Sequence, residues 1–191
     1  MLSGVITSKT KINILVKLFL NPAMKAYLRE LASEFKVSTN SVRTELNNLT
    51  KNGVLVSKKE GRNVYYRANT EHPLFPELSS MVRKITGIDE LAHSVIDRLG
   101  NLETAYLTGD YAEGKDTGII DVILIGSIDR EKLDDVIVKT ERYIGRKIRP
   151  LILDKKEFDL LLEKGSLGPV MKLWDKKTHK KLGNWKYGTE T

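Results

Sequence analysis

The chain has 191 residues, 40% of them hydrophobic, enough for one large or two small domains that each bury a core. Its 32 lysines and arginines outnumber 25 acids, for a formal net charge of +7, a balance that suits a nucleic-acid partner. There is no cysteine, which excludes disulfides and thiolate metal sensing, and no apolar run approaches the roughly 18 residues of a membrane span.

The histidines, His72, His93 and His179, stand far apart in sequence, and none has a His or carboxylate at a helical spacing that forms a known ligand motif. No metal site is expected from them. The N-terminus lacks the apolar core and small-residue cleavage site of a signal peptide, so a cytoplasmic protein is expected.

Residues 7–20 read as a first helix with Ile14, Leu15, Leu18 and Phe19 inward, stopped at Asn21-Pro22. A second helix follows from about Tyr27. Its Leu28, Leu31, Ala32 and Phe35 fall at i, i+3, i+4 and i+7, one apolar face. After the turn Lys36-Val37-Ser38 a third helix runs from Thr39 to Leu49 with Val42, Leu46 and Leu49 as its stripe. Ser38 or Thr39 can cap it, and Ser41 or Thr44 then lie near free amides that favour phosphate. The remaining face carries Asn40, Ser41, Arg43, Thr44 and Asn47, all able to hydrogen-bond. Beyond Gly53, residues 54–67 read as a hairpin. Lys58, Lys59 and Arg62 sit at its tip, with Gly61 and Asn63 for the turn.

This layout, carried by residues 31–55 (LASEFKVSTNSVRTELNNLTKNGVL) and 61–69 (GRNVYYRAN), resembles the winged helix-turn-helix of small prokaryotic transcription regulators of the ArsR-like kind. The resemblance implies a double-stranded DNA partner. It assigns DNA contacts to Ser38, Thr39, Asn40, Ser41, Arg43, Thr44 and Asn47 on the recognition helix, and to Lys58, Lys59, Arg62 and Asn63 on the wing. A helical pair and hairpin also serve as protein-interaction modules. Charge argues against that: residues 1–70 hold 12 basic and 4 acidic residues, whereas the remainder holds 20 and 21. Phosphate neutralisation needs that asymmetry.

Asn69 to Pro73 ends the hairpin. Pro73 and Pro76 then open a helix to about Thr86, with Leu74, Leu78, Met81, Val82 and Ile85 on one side. Gly87 interrupts it, and Ile88 to Leu99 is a further amphipathic stretch with Leu91, Val95 and Leu99 inward. The boundary is placed there: a winged-helix domain over 1–86 and a second domain over 87–191. In the second, Thr104–Thr108 reads as a strand, Gly109–Gly118 as a loop, and Ile119–Ile125 as a buried central strand broken by Asp121. Asp129–Ile144 is a helix closed by Gly145, Lys147–Leu153 a strand and Lys155–Lys164 a helix. The class is α+β, with a mixed sheet and helices in the second domain. The tail, residues 172–191, has six lysines and two acids and reads as a last helix with a frayed end.

The run from Leu107 to Gly126 resembles the minimal nucleotidyltransferase signature, Gly-Ser-Tyr-Ala-Arg-Gly followed by Ser-Asp-Ile-Asp-Leu-Leu-Val. In that signature two carboxylates at i and i+2 on one strand share a face and hold Mg²⁺ for attack on a nucleotide phosphate. Here Gly109, Tyr111, Ala112 and Gly114 match. Asp110 replaces the serine, Ile119 replaces the first carboxylate, and Asp121 keeps the second. The later strand that should carry a third reads Lys147-Ile148-Arg149-Pro150. The expectation is a nucleotidyltransferase-like fold with a degenerate nucleotide site, no catalytic residue, no metal and no cofactor. Its role would be dimerisation or sensing of a small-molecule or protein effector. The alternative is a nucleotidyltransferase targeted by the winged helix, with Asp121, Asp110 and Asp116 around a metal. The leftover apolar faces of helices 7–20, 74–86 and 88–99 predict a homodimer.

Overall fold

The structure is a computed structural model that describes residues 8–92, 99 and 101–177. It begins with α1 (Lys9–Phe19), capped by the Ser8 hydroxyl, which accepts from the Lys11 amide at 3.2 Å. The expected inward residues Ile14, Leu15, Leu18 and Phe19 are buried, and so are Val16 and Lys17. α1 is therefore enclosed on nearly every side rather than half-exposed.

A short β1 (Ala26–Tyr27) leads into α2 (Leu28–Phe35). Lys36 takes the left-handed conformation (φ 54°) that turns the chain toward α3 (Thr39–Lys51). Ser38 is the cap of α3, and its hydroxyl accepts from the Ser41 amide at 3.2 Å. Val42, Leu46 and Leu49 are buried as the helical period demands. Strands β2 (Leu55–Glu60) and β3 (Asn63–Ala68) form the hairpin, and β1 completes an antiparallel sheet in the order β1-β3-β2. The turn itself is Gly61-Arg62, with Gly61 at φ 61°, a sign that two-residue hairpin turns require. Asn63, expected in the turn, instead opens β3 opposite Glu60.

Helix α4 (Phe75–Thr86) is rotated from the sequence expectation. It buries Phe75, Ser79, Val82 and Thr86, whereas Leu74 is 56% exposed and Leu78, Met81 and Ile85 are half-buried. On the buried side the Phe75 ring packs on Phe19 with centroids 5.5 Å apart, in line with Ser79, Val82 and Thr86. Gly87 follows in the left-handed region (φ 77°), where a side chain would strike Ile144 at 2.9 Å. α5 (Ile88–Leu91) comes next. Leu91 and Leu99 are buried, while Val95 lies outside the described residues.

The second half is built from β4 (Leu102–Thr108), α6 (Gly109–Ala112), β5 (Ile119–Gly126), α7 (Arg130–Ile144), β6 (Lys147–Leu153), α8 (Lys155–Glu163) and β7 (Val170–Asp175). Its sheet has the order β6-β5-β4-β7, with β5 and β6 parallel and the other pairs antiparallel. One face joins α7 and the N-terminal elements in a continuous core. The other packs Ile123, Ile125 and Leu153 under Phe158 of α8. The loop expected over 109–118 opens as a helical turn, α6. The expected tail helix is also corrected: residues 172–175 belong to the edge strand β7, paired with β4, and 178–191 lie outside the described residues. Among the described residues no helix is long and apolar enough to cross a membrane. The architecture is α+β: a helix-turn-helix with a β-hairpin, followed by a four-stranded mixed sheet with helices.

Candidate functional site

Helix α3 offers an exposed polar face. Its buried stripe anchors it, and the 3.6-residue period carries Asn40, Arg43, Thr44 and Asn47 to the opposite side, all exposed. Ser38 and Thr39 at its start are exposed as well. Thr44 Oγ1 donates to the Asn40 carbonyl at 3.0 Å, which leaves the hydroxyl oxygen as an acceptor. Ser41 differs from the rest. It is half-buried, its hydroxyl meets Thr10 Oγ1 at 3.1 Å, and its amide already serves the Ser38 cap. Lys11 of α1 adds an ion pair to Glu45 at 3.3 Å. α3 is thus fastened to α1 on its inner side and open on its outer side.

On the wing Lys58, Lys59, Arg62 and Asn63 are exposed. The register Lys58↔Tyr65 and Lys59↔Val64 sends the two lysines to opposite faces of the hairpin. Lys25 pairs with Glu60 and lies 4.7 Å over the Tyr65 ring, which in turn meets Tyr27 edge-on. The Lys25 hydrogen bond holds the Glu60 carboxyl below its ordinary range. Nothing in the local sequence pointed to Lys25, which is 35 residues away from its partner.

The signature loop forms a second constellation. Gly109 (φ 60°) sits directly over Asp121, and a side-chain carbon there would lie 2.9 Å from Asp121 Oδ2. Asp121 accepts two hydrogen bonds from Arg149, Nε to Oδ1 at 2.6 Å and Nη2 to Oδ2 at 2.8 Å. The parallel register pairs these two residues directly. Arg149 therefore stands on the strand where the resemblance expects a third carboxylate, and it brings the opposite charge. The hydrogen bond and charge of Asp121, with a contribution from the exposed Asp110, raise the guanidinium's pKa above its ordinary value. Ile119, two residues earlier on β5, is 37% exposed.

Asp116 is held elsewhere. Arg146 donates to it from Nε at 3.0 Å and from Nη2 at 2.5 Å, the Gly118 amide donates at 3.3 Å, and the buried Tyr111 hydroxyl donates as well. Burial opposes its charge, yet the hydrogen bonds from Arg146 and Tyr111 prevail and lower its pKa. Tyr111 is shifted upward, first by burial and then by its bond to Asp116. The carboxylates of the metal alternative, Asp121 and Asp116, are thus each engaged by a separate arginine. Among the described residues no group of three His, Cys, Asp or Glu side chains could hold a metal ion. His72 serves as a local cap, its Nδ1 accepting from the Leu74 amide at 3.1 Å. His93 and His179 lie outside the described residues.

The Asp116 network carries a pH signature. A carboxyl with a lowered native pKa contributes stability that is present above its unfolded value, near about 3.9, and is lost as pH falls through the native value. Acid unfolding of Asp116→Asn should accordingly be less steep below about pH 4 than that of the wild type, although the variant is less stable at pH 7. Circular-dichroism melts from pH 2 to pH 7 check this. Parallel curves for the two proteins would refute it.

Residues 21–71 match the model of the family described as PaaX-like protein, a segment that spans β1 to β3. No curated protein matches the chain. Among solved structures, reduced HlyU from Vibrio cholerae is 19% identical and covers 48% of this chain and 82% of its own, at a TM-score of 0.34. A provisionally named nucleotidyltransferase from Sulfolobus solfataricus is 23% identical, covering 52% and 87% at a TM-score of 0.35. A Shewanella oneidensis complex of a tri-AMPylated HEPN toxin with its MNT antitoxin is 15% identical, covering 48% and 72% at 0.35. Likenesses this distant do not transfer function.

Proposed function

We propose that the protein is a sequence-specific double-stranded DNA-binding transcription regulator of the ArsR-like kind. The observation that carries this reading is the open face of α3, where Asn40, Arg43, Thr44 and Asn47 project from a helix anchored by Val42, Leu46 and Leu49. That face lies in the first 70 residues, which hold the whole basic excess. The PaaX-like match covers the same elements, and that family is one of winged-helix DNA-binding regulators. In this reading residues 1–86 bind DNA in the cytoplasm and residues 87–191 dimerise or sense an effector. Met81 and Ile85 on α4, with the exposed Leu74 just before it, supply apolar surface for a second copy.

The second unit performs no nucleotidyl transfer in this reading. Its one carboxylate on β5, Asp121, faces a guanidinium, and Asp110 adds negative charge where a triphosphate would sit. Magnesium-dependent transfer of a labelled nucleotide that disappears in Asp121→Ala would establish the enzyme instead.

Selection from a random duplex pool, followed by titration of the preferred site at several salt concentrations, tests the regulator. Two protomers per duplex are expected. Neutralising Lys58, Lys59 and Arg62 together should flatten the slope of log affinity against log salt by about one unit per lost phosphate contact. The preferred sequence should not change. An unchanged slope would remove the wing from the interface, and no enriched sequence would sink the regulator.

A further inference from the structure

The loop that the nucleotidyltransferase signature uses for phosphate is turned inward onto the winged helix. Gly114 has φ +72°, and a side-chain carbon at that position would lie 2.3 Å from the Lys17 carbonyl oxygen. Backbone meets backbone there, with no room for a methyl group. Two residues earlier the Ala112 carbonyl accepts a hydrogen bond from Asn21 Nδ2 at 2.8 Å. Ala112 and Gly114 are both buried. The loop thus grips the C-terminal end of α1 at two points.

α1 in turn holds both helices of the helix-turn-helix. Lys17 Nζ donates to Glu34 of α2 at 2.9 Å. Thr10 meets Ser41, and Lys11 meets Glu45, on α3. The charges mesh across the junction as well. Glu113 and Lys115 pair at 2.5 Å, Glu113 also feels Lys17, and Lys115 also feels Glu34. At its other end the same loop rests through Gly109 on Asp121, beside Arg149. A continuous run of close contacts therefore leads from the Asp121–Arg149 pair to the recognition helix.

We propose that loop 109–118 is an internal docking surface for α1, and that the state of the Asp121–Arg149 pair sets the position of α3 through it. The proposal rests on the DNA-binding reading for its consequence, control of duplex affinity, but its physical content is a mechanical joint. Close-packed contacts transmit displacement because they have no slack to absorb it. An anion that competes for Arg149, or a cation that competes for Asp121, would release the floor under Gly109 and shift the loop. α1 would move with the loop, since Gly114 leaves no gap to the Lys17 carbonyl.

Hydrogen exchange on the full chain tests the joint. Asn21→Ala removes the bond to the Ala112 carbonyl, along with a local one from the exposed Ala23 amide, without crowding. It should lower protection of the amides of α1 and α3 together, on the order of tenfold, the equivalent of one hydrogen bond. Duplex affinity should fall by a similar factor. Gly114→Ala, which forces loop and α1 apart, should do more. Arg149→Ala, which touches neither helix, should change protection in α3 as well. Faster exchange in α1 with α3 unchanged in Asn21→Ala would overturn the joint, as would an Arg149→Ala variant with wild-type protection in α3. If Gly114→Ala does not fold, the other two variants decide. Failure of the wild type to bind any duplex would sink the regulator reading alone, because the exchange result judges the joint without DNA.

Discussion

Replacing Glu34 with alanine is expected to lower the unfolding free energy by about 3 kcal/mol, the lower end of the range for breaking a buried ion pair. The reason lies in its partner. Lys17 is 2% exposed, inside a helix enclosed by apolar side chains, and its ammonium reaches the Glu34 carboxylate at 2.9 Å. Removing the carboxylate takes away the buried ammonium's direct partner and leaves only the more distant charge of Glu113 to offset it. Glu34 itself is 21% exposed, so water enters on its side and moderates the loss. Lys17→Met should be far milder, about 1 kcal/mol or less, because it keeps the volume and removes the charge that needed the partner. Urea unfolding at pH 7 measures both. Equal destabilisation by the two substitutions would show that packing of the lysine stem, rather than the stranded charge, governs this site.

Arg43→Ala should weaken binding to the selected duplex by about 1–3 kcal/mol and flatten base preference at one position, since a guanidinium matches the two acceptors of guanine in the major groove. Arg43 is exposed at the middle of α3's open face and makes no contact that the fold needs. Thermal stability should therefore stay within about 0.5 kcal/mol of wild type. A repeated selection with the variant separates the roles. If the same bases are preferred with uniformly lower affinity, Arg43 contacts phosphate. If neither affinity nor preference changes, α3 does not read the groove.

Much of the winged helix was legible before any coordinates. The stripes of α2 and α3, the cap at Ser38 and the hairpin around Gly61 all rest on interactions within a few residues of each other, where the period of the backbone dictates which side chains share a face. The departures at Asp110 and Ile119 were equally plain, because they are statements of residue identity. Sequence reasoning did less well wherever a choice was made by packing. The apolar residues of α4 allowed two faces, and packing against the core buried the one with Phe75 and Val82. The strand β7 was hidden among lysines, since an edge strand pairs on one side only and carries a weak alternation.

By itself, the sequence determined the helix-turn-helix, its basic balance, and the single carboxylate, Asp121, on β5. Tertiary structure alone decided what that carboxylate meets. Asp121 meets Arg149 across 28 residues of chain, and Asp116 meets Arg146 across 30. Burial of Lys17 and its carbonyl's approach to Gly114 belong to the same class. The physical reason is separation along the chain. A helical face is set by neighbours three or four residues apart, whereas these partners meet only after strand register and helix packing have brought distant segments together.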